Sequence, residues 1–290
     1  MLELILQALF SGVLQGGSYA LIALGLALVF GTMKVINLAH GELVLLAAYI
    51  AYTVESSLGV NPVFAIPLAL LIVCAAAVLV YFLVDLIRQD RELNSLLLTY
   101  GIAIILTNAI QLIWSADIRS TGSAWFQEPV VIGPLYSMRS ELVFFVVSLA
   151  LMTGLWWWLS RSWYGRAVRA VSSQRDAAKL MGVNPRKTEL VSFIVASILA
   201  SFAGVALFSY GVIQPSYGHV LTVKAFIITV LAGMGSIPGV LVGALLLGVT
   251  EALTVTLASS ALQELAGMCL FLLVLFVMPN GLFGAAGRRG

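Results

Sequence analysis

The sequence predicts an all-α fold, a polytopic membrane bundle of about eight spans with one of them broken, and three observations carry that prediction. Apolar residues make up 61% of the 290-residue chain and charged residues 10%, a balance that a water-soluble domain of this length could not cover with polar surface. The apolar residues fall into windows of about 20, the length that a hydrocarbon core about 30 Å thick demands of a helix. The charges between those windows are unevenly distributed, as they are when loops alternate between two sides of a membrane. Residues 1–290 therefore read as a single transmembrane domain whose first partner is the lipid bilayer. A formal charge of +2 with no clustered basic surface gives no footprint for nucleic acid.

The first window, 4–30, follows "MLELILQ", which contains Glu3 and no basic residue, unlike the basic start of a cleaved signal peptide. It predicts a retained helix that enters from outside. Further windows fall at 38–52, 62–87, 93–114 and 141–160. Next comes the loop 161–189, where Arg161, Arg166, Arg169, Arg175, Lys179, Arg186 and Lys187 outnumber Asp176 and Glu189. Such an excess marks the cytoplasmic side. Counting back five spans puts the N-terminus outside, leaves Lys34 and the Arg88/Arg91 loop inside, and exports the loop containing Trp125. "WWWLSRSWYG", Trp156 to Gly165, adds aromatic residues where a helix leaves the bilayer on the basic side.

Windows at 190–212, 222–257 and 262–278 complete the chain. Three plain spans after the basic loop would leave Arg288 and Arg289 outside. The long run 222–257 contains "AGMGSIPG", however, in which Gly233, Gly235, Ser236 and Pro238 interrupt a helix. Two shorter elements there would make four crossings and return the tail inside. At membrane depth such a break requires protein or a water-filled path around the freed backbone groups. The alternative is a glycine face for close helix packing.

Cys74 and Cys269 each lie in an apolar run without CxxC spacing or a neighbouring histidine, so they read as small buried apolar residues. "KVINLAHGELVLLAAY", Lys34 to Tyr49, places polar groups in a stretch otherwise fit for lipid. His40 is followed by Gly41 and Glu42 rather than by an HExxH pattern, and His219 belongs to the far side of the predicted topology, so a metal centre is a poor reading. Serine chemistry lacks a recognisable base. Asn37 suits the N-cap of a helix running outward, and Glu42 suits its first turn. His40 and Glu42 then fall about 9 to 12 Å along the helix from Lys34, where lipid contact would be costly. They are expected to face the protein interior, as an inner gate or as interhelical hydrogen bonds, with Gly41 permitting close approach.

The basic loop contains "SSQRDAAKLMGVNPRK", Ser172 to Lys187. Ser173 and Asp176 have the spacing of a capping box, Gly182 suits a left-handed C-terminal position, and Asn184-Pro185 prevents continuation. A short helix of about two turns is predicted, with Ala177, Leu180 and Met181 on one face. That face offers an apolar knob to a partner or to the membrane surface.

"DAAKLMG" resembles the Glu-Ala-Ala-x-x-x-Gly loop of bacterial ABC importer permeases, with Asp176 in place of the glutamate. "GTMKVINLAHGELVLLAAY", "YGRAVRAV" and "AGMGSIPG" resemble the permease subunits of branched-chain amino acid importers, and the likeness runs from the first helix to the last. The resemblance implies that Asp176, Ala177, Ala178 and Gly182 belong to a coupling helix that docks into a cytoplasmic ATPase, presenting Leu180 and Met181. It implies two ATPase subunits carrying ATP and Mg, a periplasmic substrate-binding protein, a second and different permease subunit, and a bacterial inner-membrane location. The chain has no GxxxxGK[ST] loop, so no cofactor is expected on it, and it is not expected to be an enzyme. The rival reading is a proton-coupled carrier of small neutral solutes using His40, Glu42 and Glu251. Amides and urea are alternative cargo for an ABC permease.

Overall fold

The computed structural model describes residues 1–87, 89–233 and 235–283. Twelve α-helices are described: α1 Leu2–Met33, α2 His40–Leu58, α3 Ile66–Asp85, α4 Arg91–Trp114, α5 Ala124–Gln127, α6 Arg139–Arg161, α7 Trp163–Ser173, α8 Arg175–Leu180, α9 Pro185–Tyr210, α10 Tyr217–Ala232, α11 Ile237–Leu257 and α12 Gln263–Val277. A single 3-10 turn, Pro62–Ala65, leads into α3, and another, Ser260–Leu262, leads into α12. Helices α1, α4, α6, α9 and α11, and α3 and α12 with their leading turns, are long and apolar enough to cross a membrane. Helix α2, with 19 residues, and α10, with 16, complete the bundle.

Burial separates the centre from the rim. Most of α1 and α9 is buried, 83% and 67% of their apolar windows, against 17% for α4 and 6% for α12. Because α12 is as apolar as the central helices, its exposed face suits lipid rather than water. Glycine sets the closest contacts. A Cβ on Gly12 would lie 2.7 Å from the backbone of Val249, and one on Gly16 would lie 2.8 Å from that of Leu245, so α1 and α11 touch backbone to backbone.

A small cap covers the end opposite the basic loop. Strand β1, Arg119–Ser120, pairs antiparallel with β4, Val212–Ile213, and β2, Pro129–Ile132, forms a hairpin with β3, Leu135–Met138. Phe126 of α5 is fully buried beneath it against Phe144.

Several local expectations change. Cys74 is half-buried and Cys269 is exposed on α12, consistent with a thiol that acts as a small apolar group toward lipid. Helix α2 begins at His40, with Ala39 rather than Asn37 before it. Ser173 ends α7, and α8 follows an extended Gln174 without a side-chain cap, so the Ser173/Asp176 box does not form. Asn184 instead starts α9: its side chain accepts from the Lys187 amide at 3.3 Å, with Pro185 in the first turn. Gly182 has φ +81°, the left-handed conformation expected of it.

Candidate translocation and coupling site

The polar stretch after α1 is not the start of a helix but an extended return into the bundle. His40 Nε2 lies 2.9 Å from the carbonyl oxygen of Ile22, a residue about 16 Å up α1 from its end at 1.5 Å per residue. Residues 35–39 therefore climb back beside α1, and α2 begins deep in the protein, further from Lys34 than a continuous helix would place it. Their backbone groups find partners inside the protein, as membrane depth requires. The Leu38 amide donates to Thr99 Oγ1 at 3.1 Å and the Gly41 amide to Thr222 Oγ1 at 2.9 Å. Asn37 Oδ1 accepts from the Ala39 amide at 3.1 Å, closing the turn ahead of the helix. Gly25 leaves the space that the His40 ring fills.

A second such return mirrors the first. Helix α9 ends at Tyr210, a short extended segment follows, and α10 starts at Tyr217. The segments match in sequence: Val35-Ile36 and Gly41 correspond to Val212-Ile213 and Gly218 at one common spacing. The two glycines meet, since a Cβ on Gly41 would strike the Gly218 carbonyl and a Cβ on Gly218 would strike the Glu42 carboxylate. The first turns of α2 and α10 are thus in contact, and His219 stands on the element packed against Gly41 and Glu42, not on a remote side. Glu42 is 1% exposed, and its Oε2 has no hydrogen-bond partner among the described residues. No group of three metal-ligating side chains occurs among the described residues.

The interruption at Ala232 to Ile237 is real but shallow. Helices α10 and α11 form a hairpin there, with Ser236 Oγ accepting from the Gly239 amide at 3.2 Å and Pro238 in the first turn of α11. Gly233 and Gly235 take positive φ, +83° and +96°, which only glycine adopts without strain. With Gly31 and Gly165, Gly235 borders a cavity of about 270 Å³ beside α7. This turn belongs to the basic end, so the breaks at membrane depth are the segments before α2 and α10. The tail returns to the same end: Leu282 and Phe283 donate to the carbonyls of Leu231 and Ala232 at 2.8 and 3.1 Å. Arg88, Arg288 and Arg289 lie outside the described residues.

Helix α8 projects from the basic end. Leu180 and Met181 are 88% and 83% exposed, and Ala177 and Asp176 are exposed beside them, while Ala178 faces inward. The root of α8 is held by charge. Glu189, in the first turns of α9 and wholly buried, accepts from Arg175 Nε at 2.7 Å and from Arg91 Nη2 at 3.0 Å. Donation to Glu189 holds the Arg175 guanidinium above its ordinary range. Tyr164 of α7 donates to the Thr188 carbonyl, and burial pushes its phenol well above the usual value, so it remains a donor. Helices α4, α7, α8 and α9 converge on this point.

Comparison with known proteins decides the family. The pattern described as "Branched-chain amino acid transport system / permease component" matches residues 8–278. The chain belongs to this permease family. The permease is 34% identical over 294 residues to the high-affinity branched-chain amino acid transport system permease protein BraD of Pseudomonas aeruginosa, covering 96% of this chain and 95% of that one. It is 32% identical over 298 residues to LivH of Escherichia coli, with the same coverage, and 27% identical over 282 residues to a probable LivH of Methanocaldococcus jannaschii. No solved structure matches. Membership and the apolar helices make the permease a multi-pass inner-membrane protein.

Of the residues singled out in the sequence, the structure brings Asn37, His40, Gly41 and Glu42 together at the α2–α10 junction, and Gly233, Gly235, Ser236 and Pro238 at the basic-end turn. Asp176, Ala177, Leu180, Met181 and Gly182 stand on or just beyond the projecting helix. Arg91, Gly218, Thr222 and Lys224 of the permease were not anticipated. The repeated Val-Ile…Gly pattern could have found Gly218.

Proposed function

We propose that the permease forms half of the membrane pathway of an ATP-driven ABC importer that carries branched-chain or other neutral amino acids into the cytoplasm. The observation that supports this most is the exposed apolar tip of α8, Leu180 and Met181, anchored through Arg175 and Glu189 to α4 and α9. An isolated knob of this kind suits a groove on a separate ATPase, and its rooted base gives that ATPase a lever on the central helices. Two ATPase subunits bind ATP and Mg, a periplasmic protein delivers the amino acid, and a second permease subunit completes the pore. The basic end faces the cytoplasm. Transport then follows rigid-body motion of the bundles around the α2–α10 junction, the general scheme for discontinuous helices.

Reconstitution tests this reading. Uptake of labelled L-leucine into proteoliposomes is expected to require the ATPase, ATP and the binding protein together. Uptake by this chain alone, driven by a proton gradient, would overturn it in favour of a secondary carrier.

A further inference from the structure

Helices α10, α11 and α12 border a half-open cavity of about 250 Å³ whose floor is charged. Lys224 Nζ lies 2.8 and 2.7 Å from the two carboxylate oxygens of Glu251, and these residues are 7% and 1% exposed. The pair is further bonded: Tyr19 Oη accepts from Lys224 at 2.7 Å and donates to Glu251 at 2.8 Å, and Gln263 Nε2 donates to Glu251 at 2.8 Å. Val223, Ile227 and Met268 supply apolar wall, while Glu264 and His219 border the cavity at exposed positions. Gly267 keeps the space beside the carboxylate open, since a Cβ there would lie 3.4 Å from Glu251 Oε1.

Ion pairs are expensive away from water, and within membrane-spanning helices they mark pathways more often than they serve as glue. A pair needed only to join helices would be sealed, whereas this one forms the wall of a cavity of small-solute size. Resting on the amino-acid reading above, we infer that this cavity is a transit site for a zwitterionic α-amino acid with a small apolar side chain. The ammonium group is taken by Glu251 and Glu264, the carboxylate by Lys224 in exchange for a Glu251 oxygen, and the side chain by Val223, Ile227 and Met268. The Lys224–Glu251 pair and the zwitterion are each neutral, and Glu264 keeps its charge at an exposed position, so occupancy adds no uncompensated charge to the low-dielectric interior. A solute lacking either charged group cannot replace the contacts it would break.

The labelling test uses the assembled transporter with Cys74→Ala, Cys269→Ala and Val220→Cys in this chain, the new cysteine bordering the cavity at a position with no part in the proposed contacts. Labelling is read without the binding protein, so that selection occurs in the membrane subunits, and uptake is read in the same complex with the binding protein restored. L-leucine at ten times its dissociation constant is expected to slow maleimide labelling of that cysteine about tenfold. L-leucinamide, without the carboxylate, and 4-methylpentanoate, without the amine, are expected to leave it unchanged. Lys224→Met with Glu251→Gln is expected to abolish both protection and uptake while the ATPase still copurifies. Unprotected labelling in a transporter that still imports leucine would overturn the site alone, and that result stands even if the double variant fails to assemble. Equal protection by all three compounds would do the same. A parent complex that imports no neutral amino acid would overturn the functional reading and the site with it.

Discussion

Arg175, the first residue of the projecting helix α8, and Glu189, in the first turns of α9, form a two-bond ion pair at 2.7 and 3.3 Å, and Arg91 at the start of α4 completes it from the other side. A force on α8 therefore reaches a helix at the centre of the bundle and another at its rim through one buried carboxylate. Removing one member of a buried pair strands the others, at about 3–5 kcal/mol in full burial, and the cost here falls below that because Arg175 is 45% exposed. Glu189→Gln is expected to lower the melting temperature more than Arg175→Gln, and both should lower the amino acid transported per ATP. Unchanged coupling in Glu189→Gln would show that α8 transmits force by another route.

The exposed tip of α8 makes a separate prediction. Leu180→Asp or Met181→Asp is expected to leave the isolated permease folded, because the side chains touch little of it. Binding to the ATPase should weaken by about 1–3 kcal/mol, the cost of desolvating an unpaired polar group in an apolar groove. Copurification from detergent, with stimulated hydrolysis as a second readout, checks it.

At the α2–α10 junction, Gly41→Ala and Gly218→Ala each place a methyl group against a close neighbour, the Gly218 backbone carbonyl in the first case and the Glu42 carboxylate in the second. Overpacking of this kind costs about 1–3 kcal/mol, and the backbone neighbour of Gly41 can yield less than a side chain. Thermal unfolding should rank Gly41→Ala as the more damaging. Gly101→Ala, where a Cβ meets nothing within 4 Å, is the control and should be neutral.

His40→Ala and Glu42→Gln separate gating from structure. His40→Ala removes a buried hydrogen bond to the Ile22 carbonyl and is expected to cost about 1 kcal/mol or more of stability. Glu42→Gln keeps the volume and removes the ionisable group. A loss of uptake in Glu42→Gln with unchanged melting assigns the carboxylate to gating, while normal uptake in both variants leaves them structural.

Sidedness is checked by labelling. A cysteine at Ala124, in the cap, should react with an impermeant reagent from outside, and one at Met181 only after the membrane is opened. The reverse pattern would invert the bundle.

The spans and the basic loop were legible because their signals are local: an apolar window has the length of the bilayer, and a basic loop has its charges side by side. Asn37 shows where local reasoning stops. Its chemistry suits an N-cap, yet hydrogen bonds with Thr99 and Thr222, on helices far along the chain, hold an extended segment and a turn over residues 35–39 and move the helix start to His40. Lys224 reads as a stray charge in an apolar run until Glu251 is brought beside it. Glu189 reads as one of few acids in a basic loop until Arg91 and Arg175 close on it. Contacts across such separations leave no period in the sequence.

Helix α1 lies at the middle of the bundle, yet the partner it fits most closely, α11, begins only at Ile237. During synthesis α1 is among the first segments to enter the bilayer and must wait there, its Gly12 and Gly16 groove open to lipid, until nearly the whole chain has followed. Insertion and folding are thus separated in time. A chain cut short before α11 would be correctly threaded but unclosed, a species that membrane proteases could recognise by that open groove.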